Sequence, residues 1–155
     1  MSMLGIFGIC PKGRYNALAD LVQNGDPGEA ENLVREIYSE LENSAEKLEN
    51  GTCSGEIFLA LFHYFETMLG MDVRSGTERL GELWRETTGD FDVVVFCEKD
   101  ALLSVADAVD HDALSQFASD FFQIDCGNAP QAACDALLNN LKGLGTDEVL
   151  IWHLC

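Results

Sequence analysis

The sequence predicts an α+β or mixed α/β fold in which about six or seven helices cover a small sheet of three to four strands. Two observations lead to this prediction. Apolar residues recur at helical spacing over most of the chain, and three short apolar runs interrupt that pattern. Because these runs are far apart in sequence and separated by helices, we expect them to meet as strands of one sheet.

Length and composition predict one globular domain over residues 1–155. The chain has 47% hydrophobic and 23% charged residues, the balance of an ordinary soluble protein, and it has no low-complexity tract. A chain of 155 residues buries enough apolar surface to fold without disulfide bonds or metal. We therefore expect neither a domain boundary nor an internal repeat.

The first elements are a strand and two helices. Small and large apolar residues alternate over residues 3–9, and Pro11 and Gly13 then end the strand. A helix is expected at about 14–24. A second helix, at about 27–49, begins with a capping aspartate and a proline at its first position. Its expected inward stripe is Ala30, Leu33, Ile37, Leu41, Ala45 and Leu48.

The middle of the chain predicts a central helix and a buried strand. Residues 55–69 are apolar nearly all round the helical wheel, which is typical of a helix packed on more than one side. The segment Ser75–Glu78 opens a further short helix. The run from Asp90 to Asp100, DFDVVVFCEKD, is rich in β-branched residues and too short for an average helix. We interpret that run as a strand.

The C-terminal third predicts three helices and a last strand. Helices are expected at about 99–109 and 112–122, with cap chemistry from Asp110-His111-Asp112 between them. Pro130 begins the next helix, and residues 148–155 form the strand. The inward residues expected of the 112–122 helix are Leu114, Phe117, Ala118 and Phe121.

Charge is the strongest compositional signal. There are 27 acidic and 9 basic residues, a net charge of −18, and the acid is concentrated in residues 15–50 and 90–125. Such a field repels nucleic acid and anionic membranes and attracts basic proteins at long range. We therefore expect a basic protein partner, although a surface that serves only solubility is the alternative. The predicted contact residues are Glu29, Glu36, Glu40, Asp107, Asp110 and Asp112.

Targeting signals are not expected. The apolar N-terminal run is short, and its basic residues follow it, unlike those of a signal peptide. No run of 18 or more apolar residues is present to span a bilayer. The expected location is the cytoplasm, where the six cysteines stay reduced.

Two cysteines are candidates for reactive thiols. Cys10 lies beside basic residues and Cys53 lies just before the central helix, both settings that favour a thiolate. The alternative function is therefore an enzyme or small-ligand protein that uses cysteines at the carboxyl ends of the strands. Only parallel strands would bring Cys10, Cys97 and Cys155 together at one sheet edge.

Known nucleotide and metal motifs do not fit. The spacing of Gly8 and Gly13 matches a phosphate-binding loop, but Arg14 and Tyr15 replace its lysine and its magnesium-binding hydroxyl. The acidic clusters do not have the spacing of a calcium-binding loop, and no Cys-x-x-Cys pair is present. We expect no cofactor and no metal.

Four segments resemble the YfbM-like bacterial proteins, a family of unknown function. They are MSMLGIF, LALFHYFETMLG, KDALLSVADAVDHDALSQF and DALLNNLKGLGTDEVLIWHL. The likeness extends over most of the chain in element order. It implies a cytosolic bacterial α+β domain and no established catalytic residues.

The functional expectation is a small acidic cytosolic module that binds another protein. The helix at 27–49 and the region at 100–125 are its expected face. An immunity-type inhibitor of a basic toxin or enzyme is a narrower hypothesis, because an acidic surface complements a basic nucleic-acid-cleaving site. Catalysis is not expected, and the sequence does not determine the oligomeric state.

Overall fold

The computed structural model describes residues 4–70, 78–89 and 93–154 and confirms the α+β prediction. Seven helices and a four-stranded antiparallel sheet lie in these ranges. The helices are α1 (Lys12–Asn24), α2 (Pro27–Ala45), α3 (Gly55–Met68), α4 (Glu78–Thr88), α5 (Lys99–Ala106), α6 (His111–Phe122) and α7 (Ala129–Gly143). The strands are β1 (Leu4–Pro11), β2 (Thr52–Ser54), β3 (Val93–Cys97) and β4 (Glu148–Leu154).

The sheet joins the two ends of the described chain at its centre. Its strand order is β2-β1-β4-β3, and every neighbouring pair is antiparallel. Phe7 and Val95 both lie opposite Trp152, so β4 pairs with β1 on one side and with β3 on the other. The three predicted strands are present, and β2 is a fourth that was not placed, since it is only three residues long.

Side chains of the sheet alternate between two faces, and each face packs against its own set of helices. On one face, Ile6, Phe96 and Ile151 contact apolar residues of α1, α2 and α4, which we call the first layer. On the other face, Phe7 and Trp152 belong to one buried cluster with residues of α3, α5, α6 and α7, the second layer. The sheet is therefore buried between two helical layers.

The second layer has an aromatic core. The rings of Phe62 in α3 and Trp152 in β4 are 4.3 Å apart between centroids, and Phe58 meets Phe7 edge-on at 4.8 Å. Both Phe62 and Trp152 are fully buried. The all-round apolar character of the central helix is explained by this position, because α3 contacts β1, α6 and α7.

Helix α2 lies very close to strand β1. A Cβ atom at Gly8 would lie only 2.0 Å from Leu41 Cδ1 and 3.0 Å from Ser44 Oγ. Ser44 Oγ also accepts a hydrogen bond from the N–H of Ile9 at 3.0 Å. Glycine at position 8 therefore sets the distance between the first layer and the sheet.

Several element ends differ from the prediction. Helix α1 begins at Lys12, directly after β1, and α2 ends at Ala45 and not near residue 49. After α2 the chain turns into the sheet, where the N–H of Phe7 donates to Gly51 O at 2.7 Å. Helix α5 ends at Ala106 and not at 109.

Some predictions concern residues outside the described ranges. They are Met3 at the beginning of the strand predicted over 3–9, the helix start at Ser75–Thr77, the beginning of the DFDVVVFCEKD run at 90–92, and Cys155.

Candidate protein-binding surface

The predicted contact residues of α2 form an exposed acidic ridge in the first layer. Glu29, Glu36 and Glu40 are exposed, and the opposite side of α2 buries Ile37 and Leu41 against the sheet. The inward stripe differs in detail from the expected one, since Val34 is buried while Leu33 and Leu48 are half-buried. Amphipathicity alone thus explains the ridge as the solvent side of a packed helix.

Basic residues partly neutralise this ridge. Arg14 of α1 approaches Glu40 with 2.6 Å between Nη1 and Oε2, and Arg35 lies 3.8 Å from Glu31. Both pairs are exposed, so each is worth about 0–1 kcal/mol. Their main effect is to lower the negative field of the first layer.

The predicted contact residues near α6 lie in the second layer. Asp107, Asp110 and Asp112 are all exposed, but Asp110 has a structural role as the N-cap of α6. Its Oδ1 accepts hydrogen bonds from the N–H groups of Asp112 and Ala113, at 3.0 and 3.2 Å. This is the capping function that the sequence predicted.

The two acidic regions do not form one face. Helix α2 packs on the sheet face of Ile6, whereas α6 packs on α3 and α7, and its Leu114 belongs to the buried cluster of the opposite face, that of Phe7 and Trp152. The expectation of a single surface from helix 27–49 and region 100–125 is therefore not met. Each acidic region therefore forms a separate surface on its own layer.

The second layer contains very little positive charge. From Asp100 to Leu141 the chain has seven aspartates and neither lysine nor arginine, a formal charge of −7. Residues 27–49 have seven glutamates but also two basic residues, a charge of −5. Lys99, just before the unneutralised stretch, donates through Nζ to Leu144 O at 2.9 Å, at the end of α7.

Helix α6 and the turn after it also expose large apolar side chains. Phe121 is 43% exposed and Ile124 is 65% exposed. The sequence predicted Phe121 on the inward stripe, but Leu114 and Ala118 occupy the buried positions. Asp112, Asp120 and Asp125 are also exposed.

The end of α6 explains why Ile124 faces solvent. Gln123 adopts the left-handed conformation with φ of 57°, and the N–H of Ile124 donates to Ser119 O at 3.2 Å. In helix ends of this kind an apolar residue in the position of Ile124 often packs back against the last turn. Here it stays exposed and lies beside a shallow concavity of about 700 Å³. The lining residues are Gln116, Ser119, Asp120, Gln123, Ile124 and Asp125.

The candidate reactive thiols are buried or half-buried. Burial raises the pKa of Cys10 and the pKa of Cys53 from 9.0 to about 11, although Arg14 and the N–H of Tyr15 act in the opposite direction at Cys10. Both side chains are therefore protonated at neutral pH. A nucleophilic cysteine usually has a lowered pKa, whereas the pKa values of Cys10 and Cys53 are raised.

The sheet also separates the thiols. Cys10 lies opposite Val149 and Cys97 lies opposite Leu150, so the two side chains point to different faces. Cys53 is at the other end of β1, opposite Gly5. The parallel arrangement that would have gathered the cysteines is replaced by an antiparallel sheet.

The turn after β1 is not shaped as a phosphate-binding loop. The strand passes directly into α1, and the N–H of Lys12 donates to Asp147 O at 2.7 Å. Gly8 lies within the strand, under Leu41, where it permits close packing. The match to the phosphate-binding motif is therefore limited to the spacing of Gly8 and Gly13.

Within ranges 4–70, 78–89 and 93–154, no three or more His, Cys, Asp or Glu side chains are grouped in a way that could hold a metal ion. None of the described helices combines the length and the apolar character needed to cross a membrane.

Comparison of the chain with protein-family models, with curated proteins and with solved structures found no match. The resemblance to the YfbM-like proteins stays a prediction.

Proposed function

We propose that the protein is a small acidic module that binds a basic protein partner through its second layer. The observation that supports this most is the stretch from Asp100 to Leu141, with a formal charge of −7 and no lysine or arginine. Unneutralised charge on one layer gives a directional field, which speeds the encounter with a basic surface and orients it. In the first layer, by contrast, Arg14 and Arg35 pair with two of the glutamates.

An immunity-type inhibitor in the cytoplasm is our narrower proposal within this class. A toxin that cleaves nucleic acid needs a basic surface to hold phosphates, and an acidic protein can cover that surface. Such a pair would bind more weakly as salt increases, because screening reduces attraction between exposed charges.

The alternative, an enzyme or small-ligand protein that uses its cysteines, has less support. Burial raises the pKa of both candidate thiols to about 11, and Cys10 and Cys97 face opposite sides of the sheet. We therefore keep the binding function as the proposal.

The test begins with co-purification from the native host at low salt and identification of the basic protein that is retained. Isothermal titration calorimetry then compares two charge reversals of equal size. Asp107→Lys with Asp120→Lys changes the second layer, and Glu36→Lys with Glu42→Lys changes the first. Asp110 is left unchanged because it caps α6, and Glu40 because it pairs with Arg14.

The second-layer variant is expected to weaken binding by about tenfold or more, which is roughly 1.4 kcal/mol. The first-layer variant is expected to change the affinity by less than about threefold. Equal losses in both variants would contradict the assignment to the second layer, and unchanged affinity in both would contradict an electrostatic partner.

A further inference from the structure

We infer that a groove between α1, α2 and α4 in the first layer binds a small zwitterion of the amino-acid class. The carboxylate of this ligand pairs with Arg79, and its ammonium pairs with Glu82 and Glu86, which all line the groove. Its apolar side chain covers Leu21 and Leu83. The site is separate from the second layer and includes no cysteine, so it goes beyond the binding of a basic protein proposed above.

The groove is a concavity of about 200 Å³ with apolar side chains in its lining. The last turn of α1 contributes Leu21, the first turn of α2 contributes Ala30, and α4 contributes Leu83. Ala30 is buried, and the two leucines are half-buried. A ligand in the groove therefore meets apolar groups from three helices over part of its surface.

The charged side chains of the groove lie along one side of α4. The lining residues of this helix have the i, i+3, i+4 and i+7 spacing of a single helical face, and they are Arg79, Glu82, Leu83 and Glu86. From the rise of a helix, Glu82 lies about 4.5 Å and Glu86 about 10.5 Å beyond Arg79 along the axis. The groove thus has a cation toward one end and two carboxylates toward the other.

These charges are available to a ligand. Within residues 4–70, 78–89 and 93–154, the ion pairs involve only arginines of α1 and α2. Arg79 is exposed and forms none of them, although Glu82 lies three residues further along α4, a spacing at which helical ion pairs are common. The guanidinium and the carboxylates of the groove therefore do not neutralise each other by direct contact.

A zwitterion matches this lining, whereas other ligands leave part of it unmatched. A simple anion would pair with Arg79 but also meet two carboxylates, and a simple cation would meet the guanidinium. A second copy of this chain has a charge of −18 and is repelled. Arginine binds a carboxylate through two parallel hydrogen bonds, and covering Leu21 and Leu83 buries apolar area. The small volume favours a ligand of amino-acid size, because drug-sized ligands occupy about 300–1,000 Å³.

L-Leucine is the probe, and three analogues each lack one of its parts. Isocaproate lacks the ammonium, isoamylamine lacks the carboxylate, and glycine lacks the apolar side chain. Amide shifts of the ¹⁵N-labelled protein give the affinity and locate the contact. The test variants are Arg79→Gln and the double variant Glu82→Gln with Glu86→Gln. The control is Arg85→Gln, which neutralises an exposed arginine of α4 outside the groove.

Leucine is expected to give saturable shifts at Leu21 and Leu83 with a Kd of about 10 mM or lower. Each analogue should bind the wild type at least about fivefold more weakly than leucine does, and Arg79→Gln and the double variant should lose affinity for leucine by the same factor. Arg85→Gln should bind leucine as the wild type does.

The inference is overturned if leucine gives no saturable shifts at the groove, if any analogue binds as tightly, or if Arg79→Gln and Arg85→Gln have equal effects. All the changed side chains are exposed, and circular dichroism confirms that each variant is folded. The proposed function is tested separately, because the binding of a basic protein is measured on the second layer.

Discussion

The side chain of Asn140 bonds both backbone groups of Glu49. Its Oδ1 accepts from the N–H of Glu49 at 3.0 Å, and its Nδ2 donates to the carbonyl of Glu49 at 2.9 Å. Asn140 belongs to α7 in the second layer and is only 6% exposed, whereas Glu49 lies in the turn after α2. One buried amide therefore fixes the place where the chain leaves the first layer.

Replacing Asn140 by alanine is expected to lower the free energy of unfolding by about 3 kcal/mol. The substitution removes two hydrogen bonds and leaves an N–H and a carbonyl of Glu49 without the partner that satisfies them. Chemical denaturation, followed by circular dichroism, measures the change.

Asn139 provides the matched control. Its Nδ2 donates to Glu49 Oε2 at 3.1 Å, but the contact is exposed. We therefore expect Asn139→Ala to cost about 0.5 kcal/mol or less. Similar losses in the two variants would show that the buried amide has no special role.

Gly8→Ala is expected to destabilise the protein by about 2 kcal/mol, because the added Cβ would overlap Leu41 Cδ1 at 2.0 Å. The cost should be smaller when it is measured in a Leu41→Ala background, where the overlapping atoms are absent. A double-mutant cycle of unfolding free energies gives this coupling. Additive effects would mean that the cost of the added Cβ does not come from its overlap with Leu41.

Gly13 is the control for the glycine prediction. No atom lies within 4 Å of a Cβ placed at this position in the first turn of α1. Gly13→Ala should raise the unfolding free energy by about 0.5–1 kcal/mol, because alanine favours the helix.

Gln123→Gly is expected to stabilise the protein by about 0.5–1 kcal/mol. Gln123 ends α6 with φ of 57°, a conformation that glycine adopts without steric cost. Gln116→Gly, within the same helix, should instead cost about 1 kcal/mol. Thermal unfolding measures the stability of both variants. A loss of stability in Gln123→Gly as well as in Gln116→Gly would contradict the prediction that the backbone of Gln123 is strained.

Alkaline pH is expected to destabilise the fold. Burial raises the pKa of Cys10, Cys53 and Cys134 to about 11 and that of Cys97 to about 12, from 9.0. A raised folded-state pKa stabilises the folded protein below pH 9, and that contribution is lost as pH rises toward the folded value. Unfolding free energies should thus be level near neutrality and fall above about pH 9.

Thiol labelling gives a second measurement of the same prediction. At neutral pH the four protonated thiols should react slowly with a disulfide reagent, and among the five cysteines at 4–154 the half-buried Cys126 in the loop before α7 should react first. Rapid labelling of Cys10 or Cys53 would contradict this result and return support to the cysteine-based alternative. The Cys10→Ala variant should also lose less stability at high pH than the wild type.

Most elements could be predicted from local patterns. The β-branched run at Val93–Cys97, the cap at Asp110 and the all-round apolar α3 each depend on nearby residues, and the structure has all three. Strand β2 was missed because three residues are too few for an alternation to be recognised. The end of α2 was placed too late because the helical pattern continues to Leu48, while the turn toward Gly51 depends on pairing with β1.

The arrangement of the candidate surface could be predicted only in part. Strand order decides which sheet face each helix covers, and no local pattern specifies that order. The separation of α2 from α6 was therefore not predictable. Two features of the surface were visible in the sequence. One is the absence of lysine and arginine between Asp100 and Leu141. The other is the adjacent pair Phe121 and Phe122, since neighbouring residues of a helix cannot both point inward.

The position of Trp84 and Trp152 on opposite sides of one sheet makes the two layers separately visible by fluorescence. They are the only tryptophans of the chain, and both are fully buried. Trp152→Phe would leave emission from the first layer, and Trp84→Phe would leave emission from the second. Coincident unfolding curves would identify one cooperative unit, whereas separated curves would reveal which layer melts first.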